Sequence, residues 1–240
     1  MKRSNGIFMN ISDQKYHAVQ EFAKIPYLVH GFGTRYWGEK DFQSTPELAA
    51  FRHVSLRQTH SDIIRIIRKF PHEKMEGDAL ITDISGILLV IKTADCLPAF
   101  IVDTARRVIA AVHCGWRGTQ KRVIGKTLQA IHQSFGSDLR TLLIAMGPCI
   151  GKSCYEVGQE VREKFEIHDL PSGIFNRHPS KEQRYLFDLR GANRAQALEM
   201  GVPAENIFSV DVCTHCEKDL FSYRRDKARA GRLINFVGLC

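Results

Sequence analysis

The chain has 240 residues and a mass of 27.3 kDa, room for one large domain or two small ones. Hydrophobic residues make up 44% and charged ones 25%, the balance of a globular protein, and no apolar run approaches the roughly 20 residues that span a bilayer. The net charge of +8 and pI near 9.2 invite a nucleic-acid reading, but the basic residues are scattered and no tract interleaves arginine with aromatics, so neither nucleic acid nor membrane is an expected partner and small anions are.

In chain order, Met1 to Asn10 lacks the apolar core and small-residue cleavage site of a secretory signal, so a cytoplasmic location is expected. Gly38 to Thr45 and Leu170 to Arg184, polar and punctuated by Gly or Pro, read as loops. Neither marks a boundary, and without a repeat or linker a single domain over 1–240 is expected. The short apolar runs Ile63 to Ile67, Ile87 to Ile91, Pro98 to Val102 and Val108 to Val112 predict buried strands. After the turn Gly115 to Gly118, Thr119 is the expected cap of a helix with Ile124, Leu128, Ile131 and Phe135 on its apolar face and Gly136 as its stop. Thr141 to Met146 reads as a strand and Val157 to Phe165 as a helix. A further helix starts near Leu189, with Ala192, Ala195 and Leu198 on one side and Gly201-Val202-Pro203 at its end. Ile207 to Val212 and Leu233 to Val237 read as strands, and the mixture predicts α+β or α/β, with sheets covered by helices.

Chemistry collects where the strands end. Asp95-Cys96 lies between two apolar runs, His113-Cys114-Gly115-Trp116-Arg117-Gly118 closes the next, and His60 sits in Arg57-Gln58-Thr59-His60-Ser61-Asp62. His60, Cys96 and His113 would form a His₂Cys set with an open fourth position, the pattern of a catalytic zinc site. The same residues read as a Cys96 nucleophile with His113 as base and His60 as orienter, and spacing alone leaves both readings open beside that of three unrelated residues. The Gly115 to Gly118 turn with Arg117 is either an anion site at a helix start or a tight turn closed by Trp116.

The seven cysteines are odd in number and scattered, which argues for thiols and ligands over a disulfide framework. Cys213-Thr214-His215-Cys216 with Cys149 and Cys154 would make a four-thiolate zinc site, but the gap between Cys149 and Cys154 is loose and ordinary buried thiols are the expectation. His215-Cys216-Glu217 spells the His-x-Glu of nucleobase deaminases without the Pro-Cys-x-x-Cys that must follow, so that arrangement is rejected. Ser222-Tyr223-Arg224-Arg225-Asp226 reads as a solvated charge run in preference to an anion-binding loop.

Together these strings resemble a known family. They are His30-Gly31-Phe32-Gly33-Thr34-Arg35, Gln58-Thr59-His60, Gly77-Asp78-Ala79, Thr93-Ala94-Asp95-Cys96-Leu97-Pro98, Val112 to Gly118, Gly147-Pro148-Cys149-Ile150, Tyr155-Glu156-Val157-Gly158, Phe187-Asp188-Leu189 and Phe221 to Asp226. In this order, and covering nearly the whole chain from His30, they are similar to the YfiH/YlmD family, long labelled polyphenol oxidase or laccase. The resemblance implies an α+β fold, a single-domain four-layer α/β/β/α sandwich of mixed sheets. It also implies a metal, usually zinc with copper as the alternative, at His60, Cys96 and His113. Activities attributed to the family are phosphorolysis of purine nucleosides including methylthioadenosine, adenosine deamination, a laccase activity and editing of peptidoglycan precursors. The chain departs from the family pattern in having Cys114 where Ala is usual, and Tyr36-Trp37-Gly38 where Gly-Gly is usual.

Laccase chemistry needs His-x-His pairs for a copper cluster, and none of the ten histidines lies two positions from another. Purine nucleosides and phosphate are therefore the expected substrates, with Arg35, Arg117 and Arg224 as candidate substrate and phosphate ligands. Asp62, Asp78 and Asp95 are the carboxylates nearest in sequence for acid–base work. The rival readings are a Cys-His hydrolase or amidase acting on a cell-wall precursor and a zinc-stabilised binding module.

Overall fold

The structure, a computed structural model, describes residues 15–165 and 171–240. In chain order its first strands are β1 (Tyr16–His17), β2 (Leu28–Gly33), β3 (Arg52–Ser55), β4 (Ile64–Ile67), β5 (Ala79–Thr82), β6 (Ile87–Thr93) and β7 (Leu97–Asp103). There follow β8 (Val108–Cys114), β9 (Leu143–Met146), β10 (Glu156–Gly158), β11 (Phe175–Arg177), β12 (Arg184–Phe187), β13 (Ile207–Ser209) and β14 (Leu233–Leu239). The helices are α1 (Gln20–Ala23), α2 (Glu39–Gln43), α3 (Pro46–Ala49), α4 (Trp116–Gln120), α5 (Val123–Phe135), α6 (Gln159–Phe165), α7 (Leu189–Glu199) and α8 (Tyr223–Asp226). A five-stranded sheet runs β1-β2-β14-β6-β3, a six-stranded one β13-β9-β7-β8-β5-β4, and β10-β12-β11 make a small third sheet. Both large sheets are mixed: β3 is parallel to β6 and β4 to β5, whereas β7 and β8 are antiparallel.

Strands β6, β7, β8 and β14 are apolar almost throughout because both of their faces are covered. Alternate residues then sort into separate layers. Leu89 and Ile91, Phe100 and Val102, Ile109 and Ala111, and Val237 and Leu239 meet between the two large sheets. Ala99, Ile101, Ala110 and Val112 face the opposite way, onto α5, α7 and the small sheet. Leu88, Val90, Ile234 and Phe236 face Trp37, Phe42 and Leu48 on the far side. The result is an α+β fold of four layers, helices outside and two mixed sheets within.

Several sequence expectations need correction. Thr119 does not cap a helix: it is buried inside α4, whose cap is Gly115, and its Oγ1 donates back to the Gly115 carbonyl at 2.9 Å. Helix α6 begins at Gln159, because Val157 is taken by the pairing of β10 with β12. On α7 the covered face is Leu189, Ala192, Asn193, Gln196 and Ala197, leaving Leu198 exposed, since the Asn193 and Gln196 side-chain amides donate to Thr119 Oγ1 and O at 2.9 and 2.8 Å. The run from Ile207 leaves the sheet after Ser209. Gly38 to Thr45 holds α2, and the expected loop up to Arg184 contains β11, while Leu170 at its start lies outside the described residues. Gly136 ends α5 in the left-handed conformation, φ 65°, as a glycine there permits.

Candidate functional site

Strand register explains why three distant segments meet. In the β7–β8 pair Pro98 faces His113, so Cys96, just before β7, lies beside the end of β8. In the β5–β8 pair Ala79 faces Val112, which puts Asp78 next to His113, and the His113 N–H donates to the Asp78 carbonyl at 2.7 Å. Strand β4 begins opposite Ala79, so the preceding turn delivers His60 to the same edge. The ligand atoms of His60, Cys96 and His113 all lie within 4.8 Å of one another. A Cβ on Gly115 would stand 2.7 Å from His60 Nδ1 and 3.1 Å from Cys96 Sγ, so only glycine lets the turn approach both. His60 and Asp95 both have positive φ, 56° and 88°, conformations unusual for non-glycine residues and held here by the surrounding contacts.

Asp78 organises the cluster from behind. Its side chain is fully buried, with Oδ1 2.7 Å from His113 Nδ1. It also accepts from the His60 N–H at 3.1 Å and from the Ser61 N–H and Oγ at 2.6 Å each. With Nδ1 so engaged, His113 presents Nε2 to the cluster, the carboxylate–histidine pairing that fixes a metal-ligating ring. Burial pushes the Asp78 carboxyl up, but the His113 and Ser61 hydrogen bonds outweigh it and hold the group at about 2. Burial likewise opposes charge on Cys96, yet His113 and His60 bring the thiol down to about 6. Burial would lower His113, but Cys96 and Asp78 raise it to about 9. The side chains thus favour a thiolate beside the His113 imidazole, the state in which sulfur ligates metal or attacks carbon.

The remaining predicted residues differ in how near they stand to the cluster. Arg224 belongs to the rim: its Nη2 donates to the Glu156 carbonyl at 2.8 Å and its guanidinium lies 5.4 Å over Tyr155. Arg117 is exposed and stacks 4.5 Å from the Trp116 ring. Asp95 is a brace, accepting from Thr214 Oγ1 at 2.7 Å and from the Arg224 N–H at 2.6 Å. Asp62 points to solvent and pairs with Lys126 and Lys121, and the Lys126 hydrogen bond holds its carboxyl below the usual range. Arg35 contacts a different segment, donating from Nη1 to the Lys218 carbonyl at 2.6 Å and lying 5.2 Å over Phe221.

Sequence reasoning missed Tyr155, which it quoted in a motif but gave no role. Burial pushes its hydroxyl up, and the group feels Cys96, Arg224, Asp95 and Arg117 together. Nothing in the spacing announces it, because these influences join four distant segments. Cys114 is fully buried on the opposite face of β8 from His113 and takes no part in the cluster. The run Ser222 to Asp226 is no solvated stretch: Ser222 is fully buried, and Arg225 donates to the carbonyls of Thr214, His215, Glu217 and Leu220. Cys149 is a core thiol that burial pushes up to about 12, whereas Cys216 is exposed, so the thiols expected to be uniformly buried are not.

A family model described as multi-copper polyphenol oxidoreductase laccase matches residues 39–240. The chain belongs to this family. A purine nucleoside phosphorylase of Clostridium acetobutylicum is 39% identical over 184 residues, 76% of this chain and 75% of that one. An adenosine deaminase from an unknown prokaryotic organism is 37% identical over 197 residues, 78% of this chain and 74% of its own. Among solved structures, YlmD of Geobacillus stearothermophilus matches with a TM-score of 0.82 at 28% identity, covering 90% of this chain and 93% of that one. YfiH of Bacillus licheniformis shares the fold with a TM-score of 0.85 at 24% identity, over 95% and 98% of the two chains. By the names its relatives carry, the laccase-labelled family is therefore a purine nucleoside enzyme family, built on this mixed α+β fold. Among the described residues no helix is long and apolar enough to cross a membrane.

Proposed function

We propose that the chain is a metal-dependent purine nucleoside enzyme, cleaving adenosine, inosine or methylthioadenosine with phosphate and also deaminating adenosine. The observation that carries the reading is the convergence of His60, Cys96 and His113, within 4.8 Å, in a chain whose relatives are named for purine nucleoside chemistry. A nucleophilic cysteine needs one base; here two imidazoles address one sulfur, which is what a metal ion requires. The donor set suits zinc, with copper as the alternative, and Asp78 supports His113 in the manner of a carboxylate behind a ligating histidine. Bound there, zinc supplies Lewis acidity toward a purine nitrogen or oxygen.

The chain's own residues do the rest. In phosphorolysis the C1′–N9 bond breaks with its electron pair going to the purine, which takes up a proton, and a phosphate oxygen bonds to C1′. Arg117, with its fork exposed, and Arg224, anchored through one nitrogen to the Glu156 carbonyl, are the cations suited to phosphate. Tyr155, within their field and that of Cys96, is suited to hydrogen-bond the nucleoside. Asp78 and Asp95 are positioning residues, since each carboxylate is occupied by loop and backbone donors. Arg35 acts through the segment it holds, by its bond to Lys218.

A Cys-His hydrolase is the second reading, favoured by one observation: the Cys96 thiol and the His113 imidazole lie together in the cluster, where each favours the charged form of the other. Turnover decides the chemistry. Adenosine or inosine should yield base and ribose-1-phosphate only when phosphate is present, and Arg117→Ala should raise the phosphate KM roughly tenfold, about 1.4 kcal/mol. Phosphate-independent release of free ribose would overturn the phosphorylase reading.

A further inference from the structure

A second cluster of donors lies on two facing turns away from the strand ends. One turn runs from Gly151 to Tyr155, closed by the Cys154 N–H on the Gly151 carbonyl at 2.9 Å. The other is Cys213 to Glu217, closed by the Glu217 N–H on the Cys213 carbonyl at 3.0 Å. A bridge between Cys149 and Cys213 and the Thr214 N–H on the Cys149 carbonyl, 3.0 Å, hold the turns together. The ligand atoms of Cys154, His215 and Cys216 all lie within 4.8 Å of one another. Cys213 stands beside this group as the first residue of the Cys-x-x-Cys turn that ends in Cys216, its Sγ accepting the Gly151 N–H from the facing turn at 3.1 Å.

Two geometric details separate this cluster from a chance meeting of thiols. Cys154 Sγ and Cys216 Sγ are 3.5 Å apart. A disulfide needs roughly 2.05 Å, whereas two sulfurs on one tetrahedral zinc, each bonded at about 2.3 Å, stand about 3.8 Å apart. Cys213 Sγ also accepts the Gly151 N–H at 3.1 Å, and the His215 and Cys216 N–H groups, two and three residues on, face the same sulfur. Such N–H groups curling back onto the first sulfur of a Cys-x-x-Cys turn favour a thiolate ligand, and the Gly151 contact admits no larger residue comfortably, a Cβ there lying 3.2 Å from that sulfur.

We propose that Cys154, Cys213, His215 and Cys216 form a second, structural metal site of Cys₃His type that takes zinc. The ligands come from two short turns in which Cys154, Cys213 and His215 are half-buried and Cys216 is exposed, so the metal supplies the fixation that apolar burial does not. The site reaches the first one through covalent neighbours. Thr214, between two ligands, donates to Asp95, and Asp95 adjoins Cys96. Arg225 binds the carbonyls of Thr214 and His215 and so seats the same turn from the other side.

This inference does not depend on the reading of the first site, and the test keeps the two apart. Full-length protein is purified under reducing conditions with zinc and its metal content read by native mass spectrometry. Wild type should carry two zinc ions. Cys154→Ser/Cys216→Ser should lose one and Cys96→Ser the other. Cobalt loaded in place of zinc gives a readout that does not need the double variant to fold: the intense thiolate-to-cobalt charge-transfer band should persist in Cys96→Ser, because three thiolates remain together. A Cys96→Ser protein that binds no metal and shows no such band would overturn the proposal. So would quantitative formation of a Cys154–Cys216 disulfide in the presence of excess zinc.

Discussion

The two donor clusters use the same residue types and differ in what stands behind them. His60, Cys96 and His113 sit where β4, β5 and β7 begin and β8 ends, with a buried carboxylate bonding one ligand ring and the backbone of another. Cys154, Cys213, His215 and Cys216 sit on turns, and the contacts behind them are backbone N–H groups aimed at a sulfur. Three donors and a carboxylate support leave a metal with a position to spare for substrate, while three thiolates and an imidazole close the shell. On the readings proposed above, sheet-borne ligands would be fixed before metal arrives, whereas turn-borne ligands would be fixed by it. The first arrangement suits reaction and the second suits fastening.

Removing a ligand should break the comparison most strongly. His113→Ala should lower nucleoside turnover at least roughly a thousandfold, about 4 kcal/mol of barrier, and remove one metal equivalent while the thiolate-rich site stays loaded. A different histidine sharpens the contrast. Buried His30 faces no donor cluster; its Nε2 accepts the Val19 N–H at 2.9 Å, and burial lowers it from 6.5 to about 4. The unfolded chain therefore takes up a proton below 6.5 that the folded chain refuses. Stability intact above pH 6.5 is lost as pH falls through about 4, by about 3 kcal/mol. Denaturant titrations should show that slope in wild type and lose it in His30→Gln.

Smaller effects probe the support of the first cluster. Asp78→Asn should weaken metal affinity by roughly 10- to 100-fold in chelator competition, because the amide cannot serve His113, His60 and Ser61 as two anionic oxygens do. Cys114→Ala should cost only about 1 kcal/mol in thermal unfolding and leave metal content unchanged, since its thiol faces the core beneath α5. A loss of metal in that variant would mean that Cys114 is a ligand.

Much of this was legible in the chain. The central strands announced themselves as apolar runs because both faces are buried, and the residues proposed as ligands stand at or near their ends. Helix α7 was harder, for a physical reason: its covered face includes Asn193 and Gln196, whose side-chain N–H groups bond Thr119, so hydrophobic periodicity found Ala192 but placed Leu198 on the covered face in error. Val157 fitted a helical spacing yet was claimed by a strand partner more than two dozen positions away, Tyr185, which no local pattern reveals. Tyr155 and the third thiol of the turn cluster share that property, since their contacts exist only after the segments meet.

The central claim is that the first cluster works through metal. Wild-type protein stripped by exhaustive chelation, with its metal content measured, should lose phosphate-dependent cleavage of adenosine and regain it when zinc is restored. Full activity in metal-free protein, stopped by rapid alkylation of Cys96, would contradict the account and assign the chemistry to a cysteine nucleophile.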